Sequence, residues 1–498
     1  MNFTIKTIGC KVNTYESAKI KDELIKLGFN YIDVEEKEKY SKLDFYIVNT
    51  CSVTKIADKK SRQMLHLAKK YNPKVKVIAI GCMVDSLSVG ASNNVGASNN
   101  VGAKLCEPTN VDSVGASSAS PLAGVDYVIS NKEKSRFTEL LLSFLGVDNV
   151  EAKNNVGAKL CEPEVVWASC ASPSRIRAFI KIQDGCNQYC TYCIIPFLRG
   201  NIKSRDNDDI IKEIKEKVKS GVKEIVLTGI HLSSFGLDRV NKTYESEGAI
   251  DIARKELLTI MTQIAEIDEI ERIRLGSLEP RIIDENFLKY LIGKNVTHAV
   301  CDDSVGAKAC QTRIVGAKTC QARIVGASYA SPLSTKFCAN FCLSLQSGCD
   351  KTLKRMNRHY TTSDFENACN LIRKYMPYAT ITTDVIVGFP GESEDDFKES
   401  LEFVKRMRFY NPNIFPYSRR QGTKADLMPD QLTNDEKHRR SVIMIAECEK
   451  ISKEIEQEYF KNYKDKAKDI MIEEYVEENG KKYGIGYTRE YVKCRAST

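Results

Sequence analysis

No stretch of the 498 residues approaches the roughly 20 consecutive apolar positions that a membrane-spanning helix needs, so no transmembrane helix is expected. The opening Met1-Asn2-Phe3-Thr4-Ile5-Lys6 lacks the charged and apolar regions of a signal peptide, and the expected location is the cytosol. Neither sign of charge dominates. With 74 Lys and Arg against 66 Asp and Glu, the formal charge of +8 permits a polyanionic partner without requiring one. Tryptophan occurs only at Trp167. Cysteine is the exception to this scarcity: in a chain expected to be cytosolic, 18 of them point to metal or redox chemistry rather than to disulfides. A composition of 42% hydrophobic and 28% charged residues fits a soluble globular protein long enough for two to four domains.

A fourth cysteine is also missing where it would matter most. Asp184-Gly185-Cys186-Asn187-Gln188-Tyr189-Cys190-Thr191-Tyr192-Cys193 places three thiols in the spacing C-x3-C-x2-C, just after the strand-like run from Ala178 to Ile182. A structural zinc site and an ordinary four-iron cluster each take four protein ligands. Three thiols on one compact loop therefore suit a cluster with one iron open to an exogenous ligand. The spacing resembles the signature of the radical S-adenosylmethionine (SAM) enzymes, and that resemblance implies SAM on the open iron. A zinc loop with a distant fourth ligand, or chance spacing in a cysteine-rich chain, are the alternatives.

The first segment alternates strand and helix patterns: Phe3 to Gly9, a helix from about Asn13 to Leu27, Asp44 to Asn49, a helix from about Ile56 to Tyr71, and Val75 to Ile80. This is the rhythm of a parallel sheet with crossover helices. A cysteine follows three of the strands, in Ile8-Gly9-Cys10-Lys11-Val12-Asn13, Asn49-Thr50-Cys51-Ser52 and Ile80-Gly81-Cys82. Ligand crevices of open α/β sheets lie beyond the carboxyl ends of the strands, so these thiols can converge on a second metal site. Singly, each is also a small buried hydrophobe. Val125 to Ser130 and the helical pattern from Lys132 to Leu145 complete a domain expected to end near residue 146.

Three low-complexity islands, about 86–124, 147–174 and 301–335, interrupt this texture. Val-Gly-Ala recurs in them, Val101 to Pro108 is repeated as Val156 to Pro163, and each closes with Ala-Ser-Pro. Their short, irregular units share no apolar face, unlike solenoid repeats. They read as surface inserts, whose closure costs little entropy, and Cys106, Cys161, Cys170, Cys301, Cys310 and Cys320 are discounted as ligands.

From Ile176 the pattern resumes with strands at Ala178–Gln183, Glu224–Gly229, Arg272–Ser277, Phe341–Ser347, Ile381–Gly388 and Asn413–Tyr417, and helices such as Ile210–Lys219, Leu257–Ile267, Phe365–Tyr375 and Asp395–Met407. Six β/α units predict a partial (β/α)6 barrel over 175–432, with function on the loops after the strands. The polar and small residues there that suit a bound cofactor are Thr228, Gly229, Ser277, Glu279, Gln346, Ser347 and Asp384. A long charged helix over 433–463 follows, capped near Thr433. The tail, 464–498, shows a hairpin pattern of two or three strands, from Asp469 to Val476 and from Tyr483 to Tyr487, too few for a stable independent unit.

Taken in order, Gly9-Cys10-Lys11-Val12-Asn13-Thr14-Tyr15-Glu16-Ser17, Asn49-Thr50-Cys51, Gly81-Cys82, the C-x3-C-x2-C loop and the closing β segment resemble the methylthiotransferase family across everything outside the islands. The first motif, with Phe415-Pro416-Tyr417-Ser418-Arg419-Arg420-Gln421-Gly422-Thr423, is most similar to the branch acting on N6-threonylcarbamoyladenosine at position 37 of tRNA. The resemblance implies two [4Fe–4S] clusters, one on Cys186, Cys190 and Cys193 and an auxiliary one on Cys10, Cys51 and Cys82. It implies that one SAM methylates sulfur associated with the auxiliary cluster. A second would be cleaved to a 5′-deoxyadenosyl radical that takes hydrogen from C2 of the adenine. It further implies a TRAM-like RNA-binding tail, with Arg419, Arg420, Lys424, Lys481, Lys482 and Arg489 as candidate phosphate contacts, though the tail lacks the later strands of that domain. The electron donor and the sulfur source are left unassigned. Two other readings stand beside this one: a methylthiotransferase acting on isopentenyladenosine tRNA or on a ribosomal protein aspartate, and an inactive RNA-binding iron–sulfur protein disrupted by its inserts.

Overall fold

Strand β3 (Phe45–Thr50) is buried at every position, which explains its unbroken apolar run: in a parallel sheet covered on both faces, alternation disappears. The computed structural model describes residues 1–34, 36–86, 122, 124–146, 176–293, 332–463, 469–478 and 480–497. The six discounted cysteines and Trp167 lie outside the described residues.

The N-terminal domain comprises β1 (Asn2–Thr7), α1 (Lys11–Lys26), β2 (Asn30–Tyr31), β3, α2 (Lys55–Tyr71), β4 (Lys76–Gly81), β5 (Tyr127–Ile129) and α3 (Phe137–Leu145). Its strands run parallel in the order β2-β1-β3-β4-β5. Period-two alternation sends Phe45, Ile47, Ile78 and Ile80 to one face, against Ile20, Leu24 and Leu141. Tyr46, Val48, Val77 and Ala79 go to the other, against Leu65 and Ala68. The Thr54 side chain starts α2 by accepting from Ala57 N. Helix α3 begins later than the Lys132 expected from its pattern, because a short 3-10 turn at Lys134–Arg136 precedes it.

The second domain continues with β6 (Arg177–Lys181), β7 (Gln183–Asp184), α4 (Ile195–Arg199), β8 (Lys203–Ser204), α5 (Asn207–Lys219), β9 (Glu224–Thr228), α6 (Ala249–Ala265), β10 (Arg272–Leu275), β11 (Ser277–Leu278) and α7 (Glu285–Leu291). After the third insert come α8 (Pro332–Lys336), β12 (Asn340–Gln346), α9 (Asp350–Arg355), α10 (Thr362–Tyr375), β13 (Thr380–Val387), α11 (Glu394–Met407) and β14 (Asn413–Pro416). The strands pair in parallel as β6-β9-β10 and β11-β12-β13-β14, with Gly276 at the step between the two sheets. A parallel bridge from Ile273 to Phe337 carries the arc across that step. Capping boxes at Thr361/Asp364 and Ser393/Asp396 start α10 and α11. The third island ends earlier than its composition suggests: α8 begins at Pro332, and Leu333 is buried in the barrel core. Likewise Leu122 packs against the N-terminal core. No helix among the described residues is long and apolar enough to cross a membrane.

Helix α12 (Asn434–Tyr463) leads to an antiparallel sheet of β15 (Met471–Glu478), β16 (Lys481–Tyr487) and β17 (Lys493–Ser497). The sheet is anchored on the base of the barrel. Arg272, first residue of β10, donates to Tyr487 O and Asp469 O, both at 2.8 Å. Arg274 lies over the Tyr491 ring, 3.5 Å from its centroid, and Tyr491 stacks on Tyr487. Asp469 precedes β15 rather than opening it, because its carboxylate pairs with Arg489 and Arg272.

The N-terminal domain meets the opposite, C-terminal end of the barrel strands through buried charges. Glu16, on α1, pairs with Lys134 at 2.6 Å, Lys181 at 3.0 Å and Arg199 at 2.9 Å. Asp184 takes second bonds from Lys181 and Arg199, and Arg199 Nη2 donates to Asn13 Oδ1 at 2.8 Å. At the other edge, Lys55 N donates to Ser418 Oγ and Arg420 donates to the carbonyls of Val53 and Thr54. Burial alone would raise the Glu16 carboxyl, but Lys134, Arg199 and Lys181 outweigh it and hold it well below its ordinary value of 4.5. A depressed folded-state value contributes stability at pH above 4.5, lost as pH falls through it. Glu16→Gln is expected to cost about 3–5 kcal/mol in denaturant unfolding at neutral pH by stranding buried cations. The difference from the natural protein should narrow as the titration is carried below pH 4.5.

Candidate active site

The three-cysteine loop is shaped by backbone clamps that leave its thiols free. Gly185 adopts φ +67, and a Cβ there would lie 1.9 Å from Asn201 O, so only glycine fits. Gln183 Nε2 donates to Gly185 O at 2.7 Å, Cys186 N to Gly200 O at 3.1 Å and Cys193 N to Cys190 O at 2.9 Å. Thr191 N donates to Met356 O at 3.0 Å, while Thr191 O accepts from Ala425 N at 2.8 Å. Two sulfurs already receive hydrogen bonds, Cys186 from Gln188 N at 3.5 Å and Cys190 from Arg358 Nη1 at 3.2 Å. Burial pushes the Cys186 thiol up to about 11 and raises that of Cys193, so a metal bound here would have to displace their protons. Among the described residues, no three His, Cys, Asp or Glu side chains are grouped to hold a metal ion. Three thiols on a loop closed by its own backbone fit a cluster bound through three irons.

Cys10, Cys51 and Cys82 lie beyond the carboxyl ends of β1, β3 and β4, spanning the point where the strand order reverses between β1 and β3. Gly9, at φ +116, lets them approach: a Cβ there would stand 2.8 Å from Cys51 Cβ and 2.9 Å from its sulfur. Cys10 is exposed, whereas Cys51 and Cys82 are buried. Burial pushes the Cys51 thiol up to about 11, and Cys82 and Cys10 add to the effect. Asn131 Nδ2 points at Cys82 Sγ from 3.8 Å and is held by Asp85, whose carboxyl burial raises to about 6. Cys82 packs against Ile194 and Leu198, immediately after Cys193. The N-terminal cysteine group therefore stands against the segment that follows the three-cysteine loop.

Of the residues expected at a cofactor, Thr228, Ser277, Gln346 and Asp384 lie on the strand face turned away from the helix-packed core, which contains Leu227, Leu278, Leu345 and Val385. Ser277 Oγ is 3.1 Å from Cys342 Sγ, and Gln346 adopts φ +70. Burial raises the Asp384 carboxyl against the opposing effects of Asn413, which donates to it at 2.9 Å, and of Lys11. Glu279 is buried and accepts from Arg281 Nε at 2.8 Å. Two residues are engaged otherwise. The Ser347 hydroxyl accepts from Cys349 N at 3.3 Å, and Gly229 is small because Gln183 packs against it, with Oε1 2.9 Å from where a Cβ would stand.

The expected phosphate contacts divide similarly. Arg420 is committed to Val53 O and Thr54 O, Arg419 pairs with Asp426 at 2.5 Å, and Arg489 is tied to Asp469 and Thr335 O at the base of the barrel. Lys424 and Lys481 remain on the surface, and Lys482 lies over the exposed Tyr475 ring. Arg358 and His231 went unread in the sequence. His231 is half-buried with its Nε2 enclosed, and is held neutral, pushed down to about 3 by desolvation and by Arg358 and Arg281. Arg358 stands 168 positions from Cys190, too far for any spacing rule.

Residues 180–404 match the Radical SAM superfamily and residues 2–97 match the uncharacterized protein family UPF0004. The chain is 30% identical over 96% of its length to "Threonylcarbamoyladenosine tRNA methylthiotransferase MtaB" of Aquifex aeolicus, covering 94% of that protein. The protein of the same name from Bacillus subtilis is 30% identical over 98% of this chain and 88% of its own length. "tRNA-2-methylthio-N(6)-dimethylallyladenosine synthase" of Clostridium tetani is 30% identical over 95% of this chain and 85% of its own. Gly185→Ala is expected to displace the 185–201 contact and to leave the three-cysteine loop largely without iron after anaerobic reconstitution, read by iron and sulfide analysis. Full iron in this variant would show that the loop tolerates a different path.

Proposed function

Because this chain belongs to the radical SAM methylthiotransferase family, we propose that it transfers a methylthio group to C2 of N6-threonylcarbamoyladenosine at position 37 of tRNA. The observation that carries this reading is that Cys82 packs on Ile194 and Leu198, which puts the N-terminal cysteine group against the segment that follows Cys193. Radical SAM chemistry needs a [4Fe–4S] cluster and SAM, for which Cys186, Cys190 and Cys193 provide the ligands and leave one iron open. Cys10, Cys51 and Cys82 are free thiols that would hold a second cluster, which would supply the sulfur. When bound, the cluster and SAM supply the one-electron chemistry that removes hydrogen from the acceptor, and SAM supplies the methyl group.

The chain's own residues bind, orient and exclude water. Thr228, Ser277, Gln346 and Asp384 line the strand face beside the cysteine loop and hold the SAM molecule, with Glu279 and Arg281 beyond them. The N-terminal domain covers the open edge of the barrel from α1 to the loop at 418–420, so the acceptor base enters beside both cysteine groups and away from bulk water. Lys424 and Lys481 are exposed and would meet phosphates, while Arg420 holds the two domains together.

The name of the Clostridium tetani relative favours a second reading in which the acceptor is dimethylallyladenosine. The tRNA nucleoside profile with and without the gene separates them. Loss of methylthiolated threonylcarbamoyladenosine on deletion supports the proposal; loss of the dimethylallyl product instead overturns it. With purified, reconstituted protein, Cys190→Ala should abolish release of 5′-deoxyadenosine from SAM on reduction. Cys51→Ala should retain some of that release but form no methylthiolated nucleoside.

A further inference from the structure

Arg358 is a positive charge with no carboxylate to answer it. Among the described residues it forms no ion pair; its guanidinium donates from Nη1 to Cys190 Sγ at 3.2 Å and from Nε to Tyr360 OH at 3.1 Å. It also lies over the Tyr360 ring, 4.7 Å from the centroid. Tyr360 is itself fixed, donating to Leu345 O at 2.8 Å. Arg281, rather than Arg358, pairs with Glu279 through Oε1 and with Glu245. His231, beside it, is neutral. The segment that carries Arg358 straps the cysteine loop at three other points. Met356 O accepts from Thr191 N, Arg355 O accepts from the Thr191 hydroxyl at 2.9 Å, and Asn357 Nδ2 donates to Gln188 O at 3.3 Å. A half-buried guanidinium keeps its proton and is stabilised by an anion facing it.

On the reading that Cys186, Cys190 and Cys193 hold a four-iron cluster, we propose that Arg358 is the counter-ion of that cluster and sets its reduction potential through the bond to Cys190 Sγ. A four-iron core on three thiolates is an anion, and it gains one further negative charge when a low-potential one-electron donor reduces it. No bond breaks and no proton moves in that step; the electron enters the cluster and the guanidinium remains protonated. Charge and hydrogen bonds at the sulfurs favour the more negative state, so Arg358 makes the cluster easier to reduce. Arg358 is thus a positioning residue, acting through Cys190. A lysine would keep the charge but lose the fork that joins Cys190 to Tyr360.

The test is an EPR-monitored redox titration of reconstituted protein in a Cys51→Ala background, comparing Arg358 with Arg358→Lys and Arg358→Gln at matched iron content. The midpoint should move to more negative potential in Arg358→Gln and by less in Arg358→Lys, with reductive SAM cleavage slowed in the same order. An unchanged midpoint in an iron-loaded Arg358→Gln overturns the proposal. If that variant loads no iron, the natural protein labelled with 15N-arginine decides: hyperfine coupling of a guanidinium nitrogen to the reduced cluster supports the bond, and its absence overturns it. Failure of the natural protein to bind iron on this loop would instead overturn the cluster reading itself.

Discussion

One buried carboxylate holds the two halves of this protein in register. Glu16 faces Lys134 from its own domain and Lys181 and Arg199 from the barrel, and none of these charges is tolerable in that setting without the others. The pairing fixes more than adhesion. Glu16 is on the helix that begins directly after Cys10, and Arg199 also holds Asn13 on that helix, so the height and direction of α1 are set from the barrel. Because Cys10, Cys51 and Cys82 follow three strands of one sheet, orienting α1 orients all three.

The barrel is polar at both ends, but its ends are used differently. Its base is closed by the C-terminal sheet, where Arg272 and Arg274 are consumed by Tyr487, Asp469 and the Tyr491 ring. A three-stranded sheet is too small to stand alone, and the buried arginines that receive it explain why it need not. The other end holds the three-cysteine loop and is left open for chemistry, with the N-terminal domain spanning from α1 to the loop after β14. This arrangement places the two three-cysteine groups on two different sheets, joined through Glu16, Arg199 and Arg420.

Several charged side chains expected near a ligand also join elements of the fold. Arg420 ties the two domains through the carbonyls of Val53 and Thr54, and Arg489 secures the tail through Asp469. Their positions in the chain suggested phosphate contact, since an exposed arginine and a domain-bridging one look alike in a sequence. The same holds for Ser347, whose hydroxyl serves the start of α9 through Cys349 N.

The alternation of strand and helix, the parallel sheets, the barrel and the three-cysteine loop were all legible in the sequence by itself, because hydrophobic period and cysteine spacing are local properties. The end of the third insert was misplaced by a few residues, since Pro332 closes a low-complexity run and also begins a helix whose Leu333 enters the core. What only the tertiary structure decided is which distant charges meet. Arg358 reaches Cys190, Arg199 reaches Glu16, and Arg420 reaches Val53 across separations that carry no periodic signal. Such pairs are selected by the three-dimensional path of the sheets, because a buried charge is stable only beside its partner wherever in the chain that partner lies.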